Sequence, residues 1–264
     1  MIESNAPNYF SISMYPTEPL DNEEALSSLL KVFESNSKLV PQQWGNSELI
    51  RLDYNRNEIL EKSLLERKVS EVYLHRTSNI KYSGKFNIFT NSRSFLDFDF
   101  NKTMPQKFWS LFFQLSDQIA EIVKPRWGVT HISYSPTYPW KSELERLHIW
   151  LNLCSQPIPV RFLPNGPLGL GTRTYFGGHI LELFGKDFLM NATGVVTELS
   201  WGGIRIDVSD NPWEVDLESF LEKWVALMNY LDSPKVMAIP SFDEDQMGVT
   251  FNPNISWINY LNKK

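Results

Sequence analysis

Between Lys85 and Tyr134 the spacing of apolar residues changes from two to about 3.6 and back to two, an order that few folds accommodate. Lys85–Thr90 and Ser94–Phe100 read as the arms of a hairpin joined by Asn91, Ser92 and Arg93. In the second arm Leu96, Phe98 and Phe100 fall on one face, and Phe95, Asp97 and Asp99 on the other. Phe108, Phe112, Leu115, Ile119 and Ile122 then recur at three- and four-residue intervals, which predicts a helix over 105–123 closed by Pro125. Trp127–Tyr134 returns to a strand. A strand and a helix with one apolar side each need a partner layer. The stretch therefore predicts an α+β fold: a mixed or antiparallel sheet with amphipathic helices mainly on one face.

The rest of the chain repeats these signals. Asn8–Tyr15 alternates as a strand. Asp21 is expected to cap a helix with Glu24 as its capping-box partner, and Leu26, Leu29, Leu30 and Phe33 supply the buried stripe. A second helix is expected over Asn57–Glu66 with Leu60 and Leu64 inward, followed by a strand over Val69–Arg76. His148–Cys154 is apolar and reads as a core strand. A short helix over His179–Phe184 should stop at Gly185, followed by strands Val195–Leu199 and Gly202–Val208. From near Val215 a helix is expected to turn Leu217, Leu221, Trp224, Met228 and Leu231 inward, with a short strand Val236–Ile239 before an irregular tail. Strand, strand, helix, strand thus occurs over 85–134 and again over 195–239. The chain reads as one α+β domain over 1–264, and the alternative is two units of similar order, 1–134 and 146–264.

With 264 residues, 42% of them hydrophobic and 14% aromatic, the chain has the material for a large core and is not a disordered protein. The one cysteine, Cys154, excludes an intramolecular disulfide and reads as a buried, inert thiol. The N-terminal residues lack a signal-peptide pattern, and no run of about 18 apolar residues occurs, so a cytoplasmic, non-membrane protein is expected. The net charge of −6 argues against nucleic acid as a partner. The acidity is regional: from Arg205 to Gly248 ten acids face three bases. Asp207, Asp210, Glu214, Asp216, Asp243, Glu244 and Asp245 are accordingly the candidate partner-binding residues, suited to a basic protein.

Catalytic chemistry finds little support. His75, His131, His148 and His179 are too widely spaced for a zinc site, so neither a metal nor a cofactor is expected. Nine of the thirteen glycines lie between Gly166 and Gly203, but Gly169-Leu170-Gly171-Thr172-Arg173-Thr174 has Thr174 where a dinucleotide loop needs its third glycine. Arg173, Tyr175 and His179 beside Gly177 and Gly178 form an alternative polar cluster suited to an anion or a peptide. The competing reading is a tight corner with Tyr175 and Phe176 packed inward. Asp97 and Asp99 share a strand face, as a cation site, an acid–base pair or a solvated surface would have them.

Three segments carry a family likeness. They are Ile122-Val123-Lys124-Pro125-Arg126-Trp127-Gly128-Val129, the aromatic strand around His148-Ile149-Trp150-Leu151, and Gly203–Pro212 followed by the Leu217–Leu231 helix. In this order they resemble the immunity protein 52 family and related type VI immunity proteins, over Phe108–Leu231; the segment 164–185 departs from that pattern. The resemblance implies a cytoplasmic protein that binds and inhibits a cognate toxin by occlusion. It brings no catalytic residues. The alternatives from the residues alone are an enzyme built on the glycine-rich segment 166–185, or a structural subunit of a phage or contractile machine.

Overall fold

The computed structural model describes residues 7–89, 94–134, 166–214, 217–243 and 248–263. Ten strands form one sheet: β1 (Pro7–Tyr15), β2 (Gln43–Gly45), β3 (Leu52–Asp53), β4 (Glu71–Arg76), β5 (Tyr82–Asn87), β6 (Leu96–Phe100), β7 (Trp127–Tyr134), β8 (Arg173–Phe176), β9 (Val195–Glu198) and β10 (Ile204–Asp207). Their order is β3-β2-β4-β5-β6-β1-β7-β8-β10-β9, antiparallel throughout. The first strand in the chain is thus interior to the sheet, with Ser11 opposite Asp99 on β6 and His131 on β7. Among the described residues two further strands, β11 (Ile239–Asp243) and β12 (Gly248–Asn252), pair with each other and not with the main sheet. The α-helices among the described residues are α1 (Glu23–Glu34), α2 (Arg56–Leu60), α3 (Trp109–Val123), α4 (Gly178–Phe184), α5 (Lys186–Met190), α6 (Leu217–Leu231) and α7 (Ile255–Leu261). The α+β class and the antiparallel sheet are as the periodicities require.

Alternation along the strands decides which face each helix covers. In the first half of the sheet Phe10, Ile12 and Met14 of β1 and Leu96, Phe98 and Phe100 of β6 are fully buried. Phe33 of α1 meets Phe98 at 4.8 Å, and Phe112 of α3 meets Phe100 at 5.1 Å. In the second half the polarity inverts. Arg173, Tyr175, Arg205 and Asp207 face α3, while Phe176, Ile204 and Ile206 point the other way. Phe176 there contacts Phe184 of α4 at 5.4 Å. Helices mainly on one face therefore describes the β1–β6 half, and α4 occupies the opposite face beyond β7. The two segments of similar order also differ in pairing: β7 enters the main sheet beside β1, whereas among the described residues β11 pairs with β12 alone.

Local chemistry refines several boundaries. The N-cap of α1 is Asn22, not Asp21, because its Oδ1 accepts the Ala25 N–H at 2.9 Å. The second helix widens after Leu60 into a π turn, Glu61–Leu65, so Ile59 and Ser63 are buried while Leu60 and Leu64 are only half-buried. Helix α3 ends at Lys124, which adopts a left-handed φ of 41° before Pro125. The C-terminal segment is not irregular: it contains β12 and α7, and Trp257 of α7 is fully buried. The expected strand His148–Cys154, with Cys154, lies outside the described residues.

Candidate functional site

The glycine-rich segment is a wall of the core. Gly171 lies so close to β7 that a Cβ there would stand 2.3 Å from Val129 Cγ1 and 2.8 Å from the Thr130 carbonyl oxygen. Gly166 holds φ at +85° against the Trp257 ring. The segment's polar groups are tied to its surroundings. Thr172 N–H donates to His131 Nδ1 at 3.2 Å, and the Trp224 indole N–H donates to the Leu170 carbonyl at 3.0 Å. No phosphate loop is formed there; the backbone is committed to packing.

Of the three residues in the alternative cluster, two come together. Arg173 is 4% exposed and makes a two-pronged pair with Asp207, Nε to Oδ1 at 2.5 Å and Nη2 to Oδ2 at 3.0 Å. Its Nη1 donates to Asp117 Oδ2 on α3 at 2.8 Å and to the Phe113 carbonyl at 3.2 Å. The guanidinium also lies 5.0 Å from the Phe113 ring centre. Tyr175 is fully buried, donates to Asp117 Oδ1 at 2.7 Å and pairs with Ser116 Oγ at 2.8 Å. Arg205 closes the network with Nη1 at 3.1 Å from Asp117 Oδ2. Two arginines and two aspartates balance in charge. Burial pulls the Arg173 guanidinium toward neutrality, but the Asp207 bond and its neighbours outweigh this and hold it above its usual value. Burial and the Asp117 carboxylate push the Tyr175 phenol well up, so it stays a donor.

His179 is elsewhere. It sits on α4 and stacks on Tyr260 of α7 at 4.7 Å between ring centres. The sequence-level trio is therefore not one site. Asp117, which completes the network, reads in the sequence as a mere polar break in an apolar helix. The signal that finds it is the alternation of Arg173 and Tyr175 on one strand opposite Asp207 and Arg205 on the next: four polar residues on one face require a polar counterpart on the helix that covers it.

The candidate partner-binding acids divide as well. Asp207 is 2% exposed and locked to Arg173, so it is not a surface residue and is removed from that set. Asp210 and Glu214 are exposed. Asp243 is the last residue of β11; Asp216, Glu244 and Asp245 lie outside the described residues.

Asp97 and Asp99 are half-buried, not freely solvated. Ser13 Oγ donates to Asp97, and the Tyr9 hydroxyl donates to Asp99 at 2.6 Å. Among the described residues no group of three metal-ligating side chains occurs. Burial first, and then the Asp99 charge, push the Asp97 carboxyl up to about 6. Unfolding returns it to its ordinary value of 3.8. Between about 4 and about 6 the folded chain thus holds the extra proton, and this contribution to stability is lost as pH rises through that window. Asp97→Asn keeps an acceptor for Ser13 and is expected to raise stability at pH 7 by about 1–3 kcal/mol, with little effect at pH 4. Denaturant midpoints at the two pH values check this; an unchanged difference between them contradicts it.

No helix among the described residues is long and apolar enough to cross a membrane. No protein-family model and no curated protein matches the chain. Among solved structures the chain is similar to the "Pseudomonas aeruginosa T6SS protein PA0821", with a TM-score of 0.55 and 14% sequence identity, over 97% of this chain and 81% of that one. At that identity the likeness is one of fold.

Proposed function

We propose that the chain is an immunity protein, a cytoplasmic inhibitor that binds a cognate secreted toxin and blocks it by occlusion, without turnover. The observation that carries this reading is the likeness of fold, over nearly the whole chain, to a protein of the type VI secretion system (T6SS). The resemblance of Phe108–Leu231 to the immunity protein 52 family supports it. So does the character of the polar cluster: Arg173 and Tyr175 are spent on a closed network that stiffens the sheet against α3. A rigid, ten-stranded scaffold suits a protein that presents a surface.

Co-expression with the toxin domain encoded beside it tests the reading. Growth should be rescued, and the two chains should co-elute as a stoichiometric complex. Rescue at strongly substoichiometric levels, with no complex, would favour an enzyme instead. The acidic residues make a second expectation if the toxin surface is basic. Neutralising Asp210, Glu214, Asp243, Glu244 and Asp245 together should slow association and flatten its dependence on salt, with less change in dissociation. Equal rates and equal salt slopes would leave these acids as solubilising surface only.

A further inference from the structure

At the end of the sheet where β4 and β6 finish and β1 and β5 begin, an open cleft of about 720 Å³ is lined by Tyr9, His75, Ser83 and Asp99 on the face opposite α1 and α3, and by Arg76, Tyr82 and Phe100 on the other. This volume is in the range of small-molecule sites. Arg51, Arg76, Lys81 and Lys102 line it, against one carboxylate, Asp99, which is taken by Tyr9. The protein as a whole is acidic, at −6, so a local cationic excess runs against its overall charge. Among the described residues no carboxylate pairs with any of these four cations; Arg51 Nη1 donates instead to the Glu48 and Ile50 carbonyls.

Two groups in the cleft wall are also unsatisfied. Arg76 is 8% exposed, and although its Nη1 donates to the Val40 carbonyl, its Nε has no partner. His75 is 6% exposed; its Nδ1 lies 2.9 Å from Ser83 Oγ, and its Nε2 has no partner. Burial, and then the Arg51 charge, pull the imidazole down to about 4, so near neutrality it is uncharged. In the tautomer that accepts from Ser83 Oγ at Nδ1, the imidazole proton sits on Nε2 and points to an acceptor. The wall then offers an unmade N–H donor at His75 beside the charges of Arg51, Lys81 and Lys102. Buried donors without acceptors are rare in folded proteins, and each carries a desolvation cost that a bound acceptor relieves.

We propose that this cleft is a binding site for a small, multiply charged oxyanion, a phosphate ester or a polycarboxylate. Arg51, Lys81 and Lys102 supply the field, and His75 supplies a directed hydrogen bond. The site is independent of the toxin-binding reading and stands or falls separately from it.

Inorganic pyrophosphate and citrate serve as probes, titrated calorimetrically into the full chain, with the His75 ring resonances followed by NMR. Both probes should bind in the millimolar range or tighter and shift the His75 signals. The tighter of the two identifies the phosphate or the carboxylate source. Lys81→Gln with Lys102→Gln should weaken binding by about tenfold or more and leave the thermal midpoint unchanged, since both lysines are exposed. A control pair, Lys223→Gln with Lys263→Gln, on exposed positions away from the cleft, should bind as the wild type does. Absence of binding, or equal weakening in both pairs, overturns the proposal.

Discussion

Replacing Asp207 with Ala is expected to cost about 3–5 kcal/mol, a large share of the stability of an ordinary domain. The loss is not the worth of the ion pair. It is the cost of leaving Arg173, 4% exposed, without its two-pronged partner in the interior. Asp117 cannot take over, because its two oxygens already serve Arg173, Tyr175 and Arg205. The companion variant decides the mechanism. Removing both charges, with Arg173→Met and Asp207→Leu, should cost far less than Asp207→Ala alone, since an apolar replacement of a buried pair is often close to neutral. Denaturant unfolding of the three proteins measures this. A double variant as unstable as the single one would show that the pair itself holds β8 and β10 against α3.

Trp224→Ala is expected to cost a similar ~3–5 kcal/mol. Trp224 is fully buried on α6 with Phe220, Leu221, Leu227, Met228 and Leu231. Its indole N–H also holds the Leu170 carbonyl of the glycine-rich segment at 3.0 Å. Truncation therefore opens a cavity and removes a bond that ties the segment down. Trp224→Phe keeps most of the volume and loses the bond, and should fall between the two at roughly 1–2 kcal/mol. A Trp224→Ala protein with an unaltered thermal midpoint would contradict this placement of α6.

Much of the scaffold was legible because its strands and helices are one-sided. The alternation in Leu96–Phe100 and Ile204–Asp207, and the three- and four-residue spacing in α3 and α6, are the imprint of faces that are buried once folded. Where two kinds of packing meet, the imprint blurs. Strand β8 lies inside the glycine-rich run, and both of its faces are buried, one apolar and one ionic, so Arg173–Phe176 shows no simple alternation. Strand β12 is too short a signal in a polar context to separate from a tail. The polar cluster was legible in Arg173 and Tyr175 but not in its meaning. Pairing with Asp207 depends on strand register, and pairing with Asp117 depends on which face of the sheet α3 covers. The inversion of the sheet's polarity beyond β7 set both. No local pattern in the chain announces it.

Titration of the toxin's activity with the purified chain tests the central claim most directly. An occluding inhibitor should give a linear fall in activity that breaks at one equivalent when the toxin concentration is well above Kd, with full activity recovered when the complex is separated under denaturing conditions and the toxin refolded. Complete loss of activity at a small fraction of an equivalent, persisting after the chain is removed, would contradict occlusion and require catalysis.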